Sequence, residues 1–364
     1  MDSRGAFCPN LTCPARGRCD QGNIRVHSQR GRRYRCAVCG RTFTATAGTA
    51  TYRLHHPLAV FVRVVTLLAY GCPPAAIVAA FGLDERTVAA WQRRAGAQCE
   101  RVHDALVLQP RDLGQVQADE IRVKRQGGIV WLALALAAPS RLWLGGVVSA
   151  QRDGELARAL IALVRRAAAR GALLWSVDGW RPYVQAVTRA FRDPVRTGTR
   201  GRPRLVGWPG LALGQVVKHH ARRHLVGIDR RLARGTADAV QVLLQQTQGG
   251  GVLNTAWIER LNATFRARLC ALVRRGRALA RQLPTLHHAT YLTGTIYNFC
   301  APHRTLSRRA GAARTPAMAA AITGHRWTVE EVLTYRVAPA RWTPPKRRGR
   351  PSRQLLALIA RWVA

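Results

Sequence analysis

Three observations predict an α/β core behind two small N-terminal modules, a zinc ribbon and an all-α helix-turn-helix. Cysteines fall in two close pairs, Cys8-x4-Cys13 and Cys36-x2-Cys39, with a strand-like stretch between them. Residues 56–97 carry apolar side chains at helical period, punctuated by Gly71 and Gly82. From residue 111 the pattern becomes three strands, a helix, and a further strand that ends in Asp178-Gly179.

Composition limits the partners before any motif is read. A chain of 364 residues, 48% apolar, is long enough for two or three domains with a sizeable core. The formal net charge is +40, from 58 Lys+Arg against 18 Asp+Glu. Self-repulsion on that scale calls for a polyanion, and nucleic acid leads. An anionic membrane is the runner-up, but no concentrated amphipathic basic helix or lipidation motif is present. The longest apolar run, Ile129–Ala138, is too short to span a bilayer. Lys124, Lys218 and Lys346 are the only lysines. Arginine suits bidentate phosphate contacts, although a GC-rich coding bias gives the same skew. The first residues are polar and include Cys8 and Cys13, so no signal peptide is expected. Nine cysteines, four in paired spacing, fit metal binding in a reducing cytoplasm better than a disulfide framework.

Residues 1–50 read as the ribbon. Cys8, Cys13, Cys36 and Cys39 supply four thiolates for tetrahedral zinc, and so small a segment needs the metal to fold. Cys19 and His27 are substitute ligands, and the basic strand Arg30–Cys36 points to DNA. Residues 51–100 read as the helix-turn-helix. Ile77, Phe81, Leu83, Val88 and Trp91 take its core spacing, Gly82 makes the turn and Asp84 caps the second helix. Arg86, Thr87, Arg93 and Arg94 are then left for the major groove or its phosphates; an ordinary helical hairpin gives the same pattern.

The core is expected over residues 111–300. Val116–Val123, Ile129–Ala138 and Arg141–Ser149 read as strands, Gly154–Arg170 as a helix and Ala172–Val177 as the next strand. This order suggests a ribonuclease-H-like fold, in which strand-end carboxylates and one helix acid converge on two divalent metals. Hard Mg²⁺ or Mn²⁺ needs oxygen ligands and serves in-line phosphoryl transfer. The acids in the expected places are Asp119 (or its neighbour Glu120), Asp178 and Glu259. A plain turn at Asp178-Gly179 and an exposed strand end at Asp119-Glu120 are the bland readings. Residues 193–253 form an insertion without a clear role: a strand at Leu213–Lys218, a basic hairpin at His219–Arg234, and a helix at Ala237–Gln246.

One long helix, Asn254–Leu283, is expected next, with an apolar stripe from Ile258 to Leu283. Glu259, Arg266 and Arg277 fall within about 20° of one another on another face, with Arg274 and Arg281 beside them. An acid followed by arginines reads as a metal site opening onto a phosphate track; a solvated basic face with a first-turn acid reads equally from the pattern. A second helix, Thr285–Phe299, leads into Tyr297-Asn298 and Pro302-His303, then a C-terminal segment, residues 301–342. In residues 343–364, Arg348-Gly349-Arg350-Pro351 matches an AT-hook or a basic linker, and Gln354–Ala364 reads as a short helix.

Val177-Asp178-Gly179-Trp180 and Ile258-Glu259-Arg260-Leu261-Asn262, with Arg266, Leu269 and Arg274 in register, resemble the DDE transposases of the insertion-sequence-one family. The pair Asp119-Glu120 fits that family's first acidic motif, and the ribbon plus helix-turn-helix fits its N-terminal module. The resemblance covers residues 6–300, with a gap at the insertion. It implies that Asp119, Asp178 and Glu259 are catalytic acids holding Mg²⁺ or Mn²⁺. Together with the basic helix face and the tail motif, this reading expects Arg266, Arg274 and Arg277 to track double-stranded DNA, Arg348 and Arg350 to add affinity, and a homodimer or higher assembly in the cytoplasm, since two ends must be held together. Two departures stand out: Arg122 replaces the family's aromatic after the first acids, and the Asp178-to-Glu259 interval is much longer. The YN…PH residues also resemble other DDE transposase groups. The competing expectations are a non-catalytic regulator descended from a transposase, and a nuclease acting on RNA–DNA hybrids.

Overall fold

The computed structural model describes residues 2–196, 198, 201–222, 224–273, 280, 282–345 and 349–363. Arg274, Arg277, Arg281 and Arg348 of the expected DNA track and tail lie outside the described residues. The chain divides into two compact units, Met1–Leu58 with Leu333–Ala364, and Ala59–Val332.

In the first unit, strands β1 (Ile24–Ser28), β2 (Arg33–Cys36) and β3 (Thr42–Thr44) form an antiparallel sheet, with the second cysteine pair at the turn from β2 to β3. Its apolar face is small: Ile24, Tyr34 and Phe43 pack with Ala6, Ala15 and the cysteines. The chain's last helix, Arg353–Trp362, completes that core with Trp362, which is 3% exposed. Arg18 Nη2 donates to the Trp362 carbonyl at 2.7 Å, and Arg336 lies over the Phe7 ring.

The second unit opens with helices α1 (Leu58–Ala69), α2 (Pro74–Phe81) and α3 (Glu85–Leu106). Gly82, at φ 61°, turns α2 into α3 in the left-handed region that glycine enters freely. Asp84 then accepts from the Arg86 N–H at 2.8 Å and caps α3. Phe61 and Trp91 meet edge to face at 5.2 Å. The third helix runs well past the expected residue 97, because Gly96 lets it cross close over His288.

The sheet is built from β4 (Gln115–Arg125), β5 (Gly128–Ala137), β6 (Leu142–Ser149), and, after helix α4 (Gly154–Ala167), β7 (Leu173–Val177). Helix α5 (Arg181–Ala190) and a small ribbon, β8 (Arg192–Val195) with β9 (Arg204–Gly207), precede β10 (Leu211–Ala221) and β11 (His224–Arg234). The strand order is β11-β10-β7-β4-β5-β6. β4, β5 and β6 form an antiparallel meander, β7 and β10 run parallel to β4, and β11 turns back antiparallel on the edge. The near-continuous apolar run of β5 follows from its place inside the sheet, covered on both faces. The expected strand Leu213–Lys218 is longer, and the expected hairpin at His219–Arg234 is β10 turning into β11.

Helix α6 (Ala237–Gln248) and Gly249–Gly251 lead into α7 (Ala256–Arg268). The expected helix Asn254–Leu283 is not one helix. It ends at Arg268, followed by a 3-10 turn at Cys270–Leu272, and α8 (Leu283–Phe299) begins separately. Tertiary contacts overrule the helical periodicity. Cys270 Sγ donates to the Gly71 carbonyl, while Ala280 pairs with the backbone at the end of β4 through Lys124 and Gln126. Helix α8 is buried from Ala289 to Phe299 and packs on β6 and α3. Asn298 both accepts from the Trp143 N–H at 2.9 Å and donates to its carbonyl at 2.8 Å, pinning α8 to the sheet. No helix among the described residues is long and apolar enough to cross a membrane.

Candidate active site

Parallel pairing of β4 and β7 sets the site. The register Val116↔Trp175 and Gln117↔Ser176 carries Asp119 and Asp178 to the same end of adjacent strands. One carboxylate oxygen each from Asp119, Glu120 and Asp178 lies within 4.8 Å of the others. Glu259 is absent from that trio. It lines the same cleft of about 580 Å³, where its carboxylate accepts from Lys218 Nζ and, at 2.6 Å, from the Thr255 hydroxyl. Of the two neighbouring acids left open by the sequence, Asp119 faces α7 and Glu120 faces α4. Asn262 Nδ2 donates to Asp119 at 2.7 Å, and Arg152 Nε donates to Glu120 at 3.2 Å.

The first turn of helix α7 is capped by one side chain of β4. Gln117 Oε1 accepts from the Trp257 and Ile258 N–H groups, each at 3.0 Å, and its amide donates to the Asn254 carbonyl at 2.8 Å. These are first-turn donors with no partner inside the helix, so the strand supplies the cap that Thr255 does not. The result fixes the rotation of α7 and therefore the direction of Glu259 and Asn262.

The electrostatics are those of crowded acids in partial burial. Burial, then the charges of Asp178 and Glu259, raise the Asp119 carboxyl above the usual carboxylate range. Glu120 is pushed up to about 8 by burial and the Asp178 charge, with Arg152 opposing. Burial works against Glu259, but the Lys218 and Thr255 hydrogen bonds hold it below the usual value. Arg152 also donates to Asp178 at 3.4 Å while lying over the Trp180 ring at 4.5 Å. Arg152, Lys218, Asn262 and Gln117 were not anticipated as site residues. The one available signal was Lys218, a lysine in a chain whose basic residues are otherwise almost all arginine.

At the N-terminal cluster, the four sulfurs of Cys8, Cys13, Cys36 and Cys39 lie within 4.8 Å of one another. Cys8–Cys39 and Cys13–Cys36 are 3.7 and 3.8 Å apart. A tetrahedron with metal–sulfur bonds of about 2.3 Å has edges of about 3.8 Å, so the cluster is consistent with a zinc-binding module. Cys19 stands aside, donating to the Gly5 carbonyl.

Among the expected DNA contacts, Arg86 and Arg93 are exposed on α3, with Thr87 and Arg94 half-buried there. Arg266 is half-buried on α7, seven residues after Glu259, and Arg350 is exposed ahead of the last helix. Compared with known proteins, the chain matches no family model and no curated protein.

Proposed function

We propose that the chain is a DNA transposase whose acids cut a phosphodiester and join the freed 3′-OH to target DNA. The observation that carries this reading is the meeting of Asp119, Glu120 and Asp178 from adjacent strands, with Glu259 on the rim of the same cleft. The antiparallel meander, the crossover helix α4 and the return of β7 to the other side of β4 support a ribonuclease-H-like core. A net charge of +40 supports a polyanionic substrate. α2 and α3 support a helix-turn-helix that reads element ends through Arg86, Thr87, Arg93 and Arg94. Two ends must be held together, so a homodimer or larger assembly is part of the proposal.

The clustered carboxylates fit hard divalent ions, and Asp119, Asp178 and Glu259, with Glu120 beside them, would hold Mg²⁺ or Mn²⁺. Such ions, when bound, supply Lewis-acid charge to the attacking and leaving oxygens of a phosphodiester. The chain's own residues orient and screen. Asn262 fixes the Asp119 carboxylate, Thr255 fixes Glu259, and Arg152 and Lys218 offset the acids' mutual repulsion. That last feature also favours a second reading, a non-catalytic DNA-binding regulator, because the acids already have cationic partners.

The deciding comparison is Asp178→Asn against Asp153→Asn. Asp153 caps α4 by accepting from the Glu155 and Leu156 N–H groups, a task that Asn performs equally well. On duplexes taken from the DNA bordering the coding sequence, with Mg²⁺ or Mn²⁺, Asp178→Asn should lower cleavage at least about a hundredfold. Its DNA affinity should hold level or rise, and Asp153→Asn should behave as the parent. Equal activity of the two variants refutes the catalytic assignment. A parent that binds its own ends but never cuts them establishes the regulator.

A further inference from the structure

Of the YN…PH residues, Tyr297, Pro302 and His303 line a second cavity, on the other side of α7 from the acids. Along the helix, Thr255, Glu259, Asn262 and Arg266 form one stripe, and Trp257, Arg260, Thr264 and Arg268 form the opposite one. The second stripe, with Arg141, His303 and Arg304, lines a cavity of about 230 Å³. No acid lines it, and none of its four arginines makes an ion pair among the described residues.

Arg141 is the centre of the cavity. It is 3% exposed, yet its Nε and Nη1 make no hydrogen bond. Its backbone sits at φ 59°, a region that a long side chain rarely occupies, and the Tyr297 hydroxyl donates to its carbonyl at 3.0 Å. The guanidinium lies over the Trp257 indole, 3.4 Å from the ring centroid. Burial first, then Arg309 and Arg260, push Arg141 down to about 10. Arg268 Nη1, His303 Nδ1 and Trp257 Nε1 are also buried without partners. Burial, then Arg141 and Arg260, push His303 down to about 4, so it is neutral near pH 7.

A buried, strained, unpaired arginine is costly in a folded chain unless something else completes it. Unsatisfied donors and several guanidiniums converging in a space without acids call for an anion with several oxygens. Guanidinium forks match phosphate in this way. The cavity is smaller than the roughly 300 Å³ at the low end for drug-sized ligands, which suits a phosphoryl group and its sugar better than a larger molecule. We propose that this cavity binds a phosphate monoester carried on a sugar, either the 5′-phosphate of a polynucleotide end or that of a free nucleotide. The site goes beyond the transposase reading and does not require the acids to catalyse anything.

The test is calorimetric binding by the full zinc-loaded chain with no other divalent metal added, so no cleavage can intrude. The ligands are inorganic phosphate, thymidine 5′-monophosphate, a short single-stranded oligonucleotide with a 5′-phosphate, and the same oligonucleotide with a 5′-hydroxyl. The 5′-phosphate should tighten oligonucleotide binding about ten- to a hundredfold, as expected for charge-assisted hydrogen bonds. Arg260→Gln, at an exposed position that folding tolerates, should remove that advantage, whereas Arg189→Gln makes the same charge change on exposed α5 and should keep it. If thymidine monophosphate competes on equal terms, the source is a free nucleotide; if only the oligonucleotide gains, it is a strand end. Arg141→Gln should bind no phosphate while melting no lower than the parent in phosphate-free buffer. Equal binding of the 5′-phosphate and 5′-hydroxyl strands together with no binding of the mononucleotide overturns the proposal. So does an equal effect of Arg260→Gln and Arg189→Gln.

Discussion

Replacing Gln117 with Met tests whether one side chain holds α7 on the sheet. Met keeps the length and the apolar contacts but removes three hydrogen bonds, two accepted from Trp257 and Ile258 and one donated to Asn254. The position is fully buried, so water cannot easily replace them. At about 1 kcal/mol for each bond, with some further loss for orphaned groups, the fold should lose about 3–4 kcal/mol. For a unit of this size that corresponds to a melting temperature lower by roughly 5–7 °C. Gln115→Met is the control, two residues earlier on the same face of β4. It loses the bonds to Ser176 (2.9 Å) and from Thr247 (3.1 Å) but leaves α7 capped. Urea titration gives the two stabilities, and metal-dependent DNA cleavage well below both melting points gives the two activities. Gln117→Met should lose far more activity than Gln115→Met, because Glu259 and Asn262 lose their fixed direction. A loss of stability below about 1 kcal/mol, or equal activities, refutes the anchoring role.

Further outcomes follow from the cysteine cluster, the second cavity and the tail. Cys36→Ser should release about one zinc per chain and unfold the ribbon, read by metal analysis and DNA binding; a parent without zinc contradicts this. His303 is depressed to about 4 in the fold from its ordinary 6.5. The stability it contributes is therefore complete above about pH 6.5 and is lost as pH falls toward 4, by no more than about 2 kcal/mol after allowing for partial solvent exposure. Urea titrations of the parent and His303→Gln at pH 7 and 4.5 should show a larger loss in the parent, and an equal loss in both refutes the assignment to His303. Changing Arg348 and Arg350 to Ala should reduce the salt slope of DNA binding by roughly one to two units. Equal losses on A·T-rich and G·C-rich duplexes would leave a basic linker in place of an AT-hook.

What the sequence made legible was local. Cysteine spacing, the Gly82 turn, the Asp84 cap and the apolar run of β5 each express themselves within a few residues. Asp119, Glu120 and Asp178 could be singled out because carboxylates are scarce in this chain, and the fold brings those three together while leaving Glu259 outside the trio. The partners of those acids were not, since Arg152 to Glu120, Asn262 to Asp119 and Lys218 to Glu259 join segments far apart in sequence. The end of α7 was hidden for a related reason. Its arginine-rich continuation has good helix propensity, and, among the described residues, contacts to Gly71 and to the end of β4 follow its close. β11 escaped periodicity because it is exposed on both faces, so nothing selects an alternating pattern.

The two stripes of α7 have a consequence for how this chain tolerates changes in length. Each residue added to a helix turns everything beyond it by about 100°. One residue inserted between Ile258 and Glu259 would turn Glu259 away from the carboxylates toward the cavity side and carry Arg260 off the cavity stripe, ruining both at once. Immediately upstream the opposite holds. Gly249, Gly250 and Gly251 all sit at positive φ, at 79°, 101° and 85°, outside any helix or strand, where an extra residue only lengthens a loop. A library of single-codon insertions across residues 245–268 should therefore show a sharp boundary, with functional survivors confined to the glycine side of Asn254.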